Sequence, residues 1–235
     1  MRYQQDAYSV VTDKDIRIYI VDDHPVVRRG LRQFINSRDG YSACGEAGDI
    51  DSAIAGIDEE RPDIVLADIS LRGDNGIDLI KQIGLRYSNI NVLVLSMHEE
   101  SEYIERAMKA GAKGYILKND NEELVFEAIS NVMNNKIYLS ESIKDKVLES
   151  MLRRKAGSYR ELVALLTDRE FLIFEMIGKG NNTREIAAAL NLSASTVGTY
   201  RERIKTKLNI LTPNELVKFA VQWVMNEKEK DSIPK

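Results

Sequence analysis

The chain has 235 residues, 43% hydrophobic and 30% charged, with a formal net charge of −4, which suits one large domain or two ordinary ones with real cores. Its single cysteine, Cys44, excludes an intramolecular disulfide, no apolar run is long enough to span a bilayer, and the opening MRYQQDAYSV lacks a signal-peptide core; the cytoplasm is the expected location, with no membrane partner. Residues 1–160 hold 22 Lys and Arg against 27 Asp and Glu, a net of −5, whereas residues 161–235 hold 11 against 10, a net of +1, so a nucleic-acid contact has to be sought locally in the second part.

From the N-terminus, strand-like and helix-like segments alternate. IRIYIV (16–21) leads into a helical pattern over 26–37, SACGEA (42–47) into 50–60, DIVLAD (63–68) into 76–87, NVLVLS (91–96) into 100–110, and GYILK (114–118) into 121–134. Five such units in a row, with strands apolar on both faces, predict an α/β doubly wound fold with a five-stranded parallel sheet and right-handed crossovers. Folds of this class place their sites at the carboxyl ends of the strands. Those ends carry Asp22 and Asp23, Asp68, Ser96 and Lys118.

Three carboxylates brought into one crevice repel one another and raise each other's pKa unless a cation intervenes. A hard divalent cation such as Mg²⁺ takes oxygen ligands and keeps positions for water and a phosphoryl group, with Asp23 and Asp68 as direct ligands and Asp22 acting through water. A carboxylate held against that metal can attack phosphorus and become an acyl phosphate. Lys118 and the Ser96 hydroxyl are then the donors for charge on the equatorial oxygens. Any one acidic residue after a strand is as readily a solvated loop residue; the agreement of five positions carries the reading.

The segments VDDHPVVRRGL, DIVLADISLRGDNGIDLI, VLVLSMH and AMKAGAKGYILKNDNEEL resemble the receiver domain of two-component response regulators, over residues 16–135. The resemblance implies a flavodoxin-like receiver in which Asp68 is the phosphoacceptor, Asp22 and Asp23 complete the acidic pocket, and the Ser70 carbonyl is a further metal ligand. It also implies that Ser96 and Tyr115 form a switch pair, the hydroxyl moving inward and the ring following, which reshapes the face of the fourth helix, fifth strand and fifth helix. The chain departs from the pattern where Leu71-Arg72-Gly73 stands for Met-Pro-Gly. An arginine in the proline slot frees the loop, and Arg72 either reaches the phosphoryl group or lowers the Asp68 pKa, or simply faces solvent. His98 is expected to be a surface histidine.

The stretch 136–161, including ESIKDKVLESMLRRKAGSYRE, reads as a linker, partly helical and loosening at Gly157 and Ser158. Residues 162–228 read as helices only. In LTDREFLIFEMIGKG, Thr167 is the N-cap, Glu170 its capping-box partner and Gly180 the stop. Helices over 182–191 and 193–209, with a tight turn at 191–193, suggest a small all-α helix-turn-helix domain, and Thr212-Pro213 opens a fourth helix over 214–228. Between residues 194 and 208, Arg201, Arg203, Lys205 and Lys207 stand against Glu202 alone, a net of +3. With Val197, Tyr200 or Arg201, Ile204 and Leu208 as the buried stripe, Ser195, Thr196, Gly198, Thr199, Glu202, Arg203 and Lys205 face outward.

The run LTDREFLIFEMIGKGNNTREIAAALNLSASTVGTYRERIKTKL is similar to LuxR-type helix-turn-helix domains throughout. With the receiver, this implies a NarL/FixJ-type transcriptional regulator. Thr196, Thr199 and Glu202 would then touch base edges and Arg203, Lys205 and Lys207 phosphates of double-stranded promoter DNA. Gly198 and Tyr200 replace a common lysine and histidine, so the expected affinity per monomer is modest and a homodimer on inverted half-sites is implied. The implied partner is a sensor histidine kinase. The chain is expected not to be an enzyme beyond slow autophosphorylation from small donors and slow dephosphorylation, since a phosphatase would need a second acid near Asp68 and Ser70 cannot serve. The alternative is a regulator that works without phosphorylation, its receiver acting as a dimerisation module.

Overall fold

The computed structural model describes residues 15–71, 74–152 and 162–231, apart from the side chains of 74, 149–152 and 227–231. In chain order the first domain comprises β1 (Ile16–Val21), α1 (Pro25–Asn36), β2 (Tyr41–Ala47), α2 (Ile50–Glu60), β3 (Ile64–Ala67), the short pair β4 (Ser70–Leu71) and β5 (Asp74–Asn75), α3 (Gly76–Arg86), β6 (Asn91–Ser96), α4 (Ser101–Ala110), β7 (Gly114–Leu117), α5 (Glu123–Met133) and β8 (Tyr138–Leu139). The main sheet is parallel throughout in the order β2-β1-β3-β6-β7-β8, and β4 and β5 form a separate antiparallel pair. Alternate residues of the central strands feed two different cores. Ile18, Ile20, Ile64, Leu66, Leu93, Leu95 and Ile116 join Val125, Ala128, Ile129 and Val132 of α5 on one face. Tyr19, Val21, Val65, Ala67, Val92, Val94, Tyr115 and Leu117 join residues of α2, α3 and α4 on the other. Helices on both faces are the reason the strands read as continuous apolar runs.

Five strands are expected in the main sheet, and six are found. After α5, Asn135 takes a left-handed φ of 58°, the chain doubles back, and the Tyr138 N–H donates to the Lys113 carbonyl at 3.0 Å so that β8 pairs with β7. Two residues are too short to show a period in sequence. This strand falls beyond 135, within the segment read as linker, and α6 (Glu141–Leu152) follows it, buries Ile143 and packs on α4.

The second domain is helical: α7 (Asp168–Gly178), α8 (Thr183–Ala189), α9 (Ala194–Leu208) and α10 (Pro213–Asp231). The Thr167–Glu170 capping box forms as expected, and a second one, Asn182 with Glu185, starts α8. The Ser193 side chain accepts from the Thr196 N–H to start α9, and Asn191, at φ 52°, makes the turn before it. Val197, Ile204 and Leu208 are buried, with Tyr200 and Arg201 half-buried beside them. A Cβ at Gly178 would lie 2.4 Å from the Ala220 carbonyl oxygen. The missing side chain lets α10 lie against α7, where Phe174 and Phe171 meet Trp223.

Candidate phosphoacceptor pocket and DNA-contact helix

Backbone hydrogen bonds bring the strand-end residues together. The Asp68 N–H donates to the Val21 carbonyl (2.8 Å), the Asp22 N–H to that of Ala47 (3.1 Å), and the Lys118 N–H to that of Ser96 (2.8 Å). The Lys118 Nζ then lies 2.6 Å from both Asp22 Oδ2 and Asp68 Oδ2. The other oxygens accept from the backbone: Asp22 Oδ1 from His24 N (2.8 Å) and Asp68 Oδ1 from Ser70 N (3.1 Å). Behind Asp68, a Cβ at Gly76 would lie 2.0 Å from the Asp68 carbonyl oxygen, so only glycine lets the start of α3 come this close.

Asp22 and Asp68 are only 1% and 4% exposed. Burial pushes the Asp68 carboxyl above its ordinary pKa despite the opposing bonds from Lys118 and Ser70. For Lys118, burial acts to lower the pKa but is outweighed by its bonds to Asp22 and Asp68, which leave the ammonium above its usual value. Lys118 therefore stays charged, yet its ammonium does not fully offset the burial of Asp68. Asp23 adds to the deficit. Its Oδ1 is buried without a hydrogen-bond partner, and although His24 Nδ1 lies 2.7 Å away the geometry is not that of a hydrogen bond. An orphaned carboxylate oxygen beside two buried carboxylates is a donor set that fits a hard divalent cation.

Ser96 is fully buried, with its Oγ accepting from the His98 N–H at 3.2 Å. Tyr115 is buried as well and donates its hydroxyl to the His98 carbonyl at 2.7 Å; burial holds this phenol above the usual range. His98 is not the surface residue expected of it. Its side chain is 18% exposed, its ring stacks on Tyr103 with centroids 4.1 Å apart, and its Nε2 lies 2.8 Å from Ser70 Oγ. Arg72 lies outside the described residues, as do Gly157 and Ser158.

The helix-turn-helix domain docks beside this pocket through contacts that no sequence motif announces. Arg106 of α4 donates to the carbonyls of Leu166 (2.8 Å) and Val163 (3.1 Å) and to Asp168 Oδ1 (2.8 Å), and its guanidinium lies over the Phe171 ring. Lys81 of α3 binds the other oxygen of Asp168. Burial acts to raise the Asp168 pKa, but Lys81 and Arg106 hold it below the ordinary value. Tyr103 donates to Glu175 Oε2 at 2.6 Å and meets Phe171 edge-on. Between the domains lies a cavity of about 250 Å³, lined by Asp23, Ser70 and His98 on one side and Leu172, Ala189 and Leu190 on the other.

On α9, Ser195, Thr199, Glu202 and Arg203 are exposed, and Thr196, Gly198, Lys205 and Lys207 are half-buried. Several are engaged within the chain. Thr196 Oγ1 lies 2.8 Å from Ser193 Oγ, Thr199 donates to the Ser195 carbonyl, and Lys205 pairs with Glu202 at 2.8 Å. Lys207 reaches inward to Glu170 Oε2 at 2.6 Å. The exposed cation of the set is Arg203, whose guanidinium sits 5.8 Å from the Tyr200 ring centroid.

A parallel α/β sheet with this cluster at its strand ends, joined to a helix-turn-helix head, defines the receiver and DNA-binding class of regulator. Residues 18–130 match the response regulator receiver domain and residues 164–220 match the bacterial regulatory proteins of the luxR family. The chain is 31% identical to the oxygen regulatory protein NreC of Staphylococcus epidermidis, over 88% of this chain and 97% of that one. It is 35% identical to the transcriptional regulatory protein YhcZ of Bacillus subtilis (90% and 98%) and 32% to the response regulator UvrY of Escherichia coli (88% and 94%). A two-component response regulator of the LuxR family from Aurantimonas superposes with a TM-score of 0.58 at 33% identity, covering 60% of this chain and all of that one. RcsB, solved as two dimers on two parallel DNAs, shares the fold at 21% identity, with a TM-score of 0.56 over 88% of this chain and 98% of that one. The chain belongs to the response regulators: it is a DNA-binding regulator of the LuxR type, with a receiver domain. Among the described residues no helix is long and apolar enough to cross a membrane.

Proposed function

We propose that the chain is a cytoplasmic regulator that accepts a phosphoryl group on Asp68 from a sensor histidine kinase and thereby changes its dimerisation and its hold on promoter DNA. The observation that carries this is the Lys118 ammonium at 2.6 Å from both Asp22 and Asp68, beside an Asp23 oxygen that no hydrogen bond satisfies. Mg²⁺ would be held by Asp23 and Asp68, with Asp22 through water and the Ser70 carbonyl, and when bound it supplies charge neutralisation for the incoming phosphoryl group. Asp68 provides the attacking oxygen. Lys118, and Ser96 once its hydroxyl turns toward the pocket, stabilise the phosphoryl oxygens. NreC and UvrY are regulators of the same architecture.

The chain is read as a switch rather than an enzyme, with at most slow self-phosphorylation and hydrolysis. On the DNA side, Ser195, Thr196, Thr199 and Glu202 are the candidates for base edges and Arg203 for a phosphate. Intact-mass measurement after incubation with Mg²⁺ and acetyl phosphate tests the central step. A single phosphoryl adduct, absent in Asp68→Asn, is the expected result. Its absence, where a control receiver is modified, would favour a regulator that works unphosphorylated.

A further inference from the structure

Next to the pocket around Asp68, and bordering it at Asp23 and Ser70, a cavity opens between the two domains. Leu172 of α7 and Ala189 and Leu190 at the end of α8 face Asp23, Ser70 and His98 across the cavity of about 250 Å³. The second domain is clamped there by Arg106, which grips Val163, Leu166 and Asp168, by Lys81 on Asp168, and by Tyr103 on Glu175. All of these hold α7 or the turn leading into it. The recognition face of α9, by contrast, keeps Ser195, Thr199, Glu202 and Arg203 exposed while the domains are docked. Docking walls one side of the acid pocket, at Asp23 and Ser70, and leaves the DNA face in solvent.

We infer that the helix-turn-helix domain decides which phosphodonors reach Asp68: docked, it admits a small free donor and turns away a donor carried on a protein surface. This rests on Asp68 being the phosphoacceptor. The chemistry is the same for both donors. One Asp68 carboxylate oxygen forms a bond to phosphorus as the bond from phosphorus to the leaving atom breaks, and the electron pair of that bond departs with the leaving atom. From acetyl phosphate the leaving group is acetate. From phosphohistidine it is a ring nitrogen, which takes up a proton from water.

The difference lies in what stands behind the leaving group. A cavity of about 250 Å³ is at or below the lower end of the range that holds drug-sized molecules, which begins near 300 Å³, and so has room for a phosphorylated carboxylate or imidazole alone. A protein donor has to seat on the order of 800 Å² of its own surface around the attacked residue. One side of that rim is occupied by α7 and α8. A histidine borne on a helix therefore reaches Asp68 only after Arg106, Lys81 and Tyr103 release α7, and the lifetime of those contacts sets the rate for protein donors alone.

The test compares one phosphoryl group presented in two ways: free N-phosphorylimidazole, and the same phosphorylated imidazole tethered to a small globular carrier protein. Adduct formation by intact mass is followed in the full chain, in Arg106→Ala with Tyr103→Phe, and in Asp168→Asn, which keeps the shape of the side chain should the double variant fold poorly. The free donor should phosphorylate all three at rates within about twofold, whereas the carrier donor should gain roughly tenfold or more in the variants, the range open to a lock whose open state is a few per cent populated. Equal discrimination against the carrier donor in wild type and both variants would overturn the gate. A free donor that gives no adduct dependent on Asp68 would instead overturn the phosphoacceptor reading, and the gate with it.

Discussion

Replacing Lys118 with methionine removes the one ammonium that touches both Asp22 and Asp68 while keeping the length of the side chain. Removing one partner from a buried ion pair costs roughly 3–5 kcal/mol because the other charge stays behind. The pocket sets its own ceiling, because a stranded carboxyl can take up a proton. Raising a carboxyl from an ordinary pKa near 3.9 until it is neutral at pH 7 costs about 4 kcal/mol, at about 1.36 kcal/mol per unit. The variant should thus be about 4 kcal/mol less stable at pH 7 without divalent cations.

The sign with pH follows from linkage. In the variant, the folded pKa of Asp68, already raised in the wild type, rises further, so the native state holds a proton that the unfolded chain has lost. Stability from such a group is fully present below the unfolded pKa and is lost as pH rises through the folded one, at about 1.36 kcal/mol per pH unit. Going from pH 7 to pH 5 should therefore return at most about 2.7 kcal/mol of the deficit, less what the wild type gains from its own raised Asp68. Urea unfolding followed by far-UV circular dichroism at the two pH values measures it, since the single tryptophan, Trp223, reports on the other domain. A deficit equal at both pH values, or below about 1 kcal/mol at pH 7, would refute the view that Lys118 stabilises Asp22 and Asp68 in their buried positions.

At Gly76, an added methyl has to displace the Asp68 carbonyl from 2.0 Å, so Gly76→Ala should lose stability near the top of the roughly 1–3 kcal/mol of an overpacked core; wild-type stability in urea would mean that α3 slides freely. On α9, Arg203→Ala should lower the slope of log affinity against log salt for promoter DNA by about 1. Lys207→Ala, whose ammonium serves Glu170, should leave that slope unchanged and lower the melting temperature of the helical domain; the reverse pattern would reassign Lys207 to the DNA. At Gly198 a Cβ meets nothing within 4 Å, so Gly198→Ala should raise stability by about 1 kcal/mol while weakening promoter binding if the helix backbone lies close to DNA. Affinity that rises along with stability would exclude that close approach.

What was legible in the sequence follows the physics of each signal. Strand-end placement of Asp22, Asp68, Ser96 and Lys118 could be read because continuous apolar runs followed by helical periods leave one class of fold, and that class fixes where strand ends meet. The capping box of Thr167 and Glu170 was legible because it is local. The strand Tyr138–Leu139 was not, since two residues carry no period and its pairing depends on a turn at Asn135. His98 was misread for a related reason: its stacking on Tyr103 and contact with Ser70 join segments that only the fold brings together. The same holds for Lys81 and Arg106, charged residues on amphipathic helices whose sequence is that of a solvated face. Their partner Asp168, at the first turn of α7, likewise reads as a helix-start residue until a second domain is set against it.

His98 joins the pocket to the interdomain contact. Its N–H bonds the Ser96 hydroxyl, its carbonyl receives the Tyr115 hydroxyl, its ring lies on Tyr103, and Tyr103 bonds Glu175 in α7. The position of the His98 backbone is therefore fixed from the pocket side by Ser96 and from the core side by Tyr115. Drawing the Ser96 hydroxyl toward a phosphoryl oxygen would release the first of these bonds, and a Tyr115 ring that followed it would carry the His98 carbonyl and shift the imidazole on the Tyr103 ring. Contiguity alone is not coupling; here it has a specific lever arm, because Tyr103 is fully buried and its hydroxyl has Glu175 as its partner. A tyrosine so confined cannot follow the imidazole and keep that bond at 2.6 Å. Strain placed on it would pass to Glu175 of α7, across the contact between the two domains.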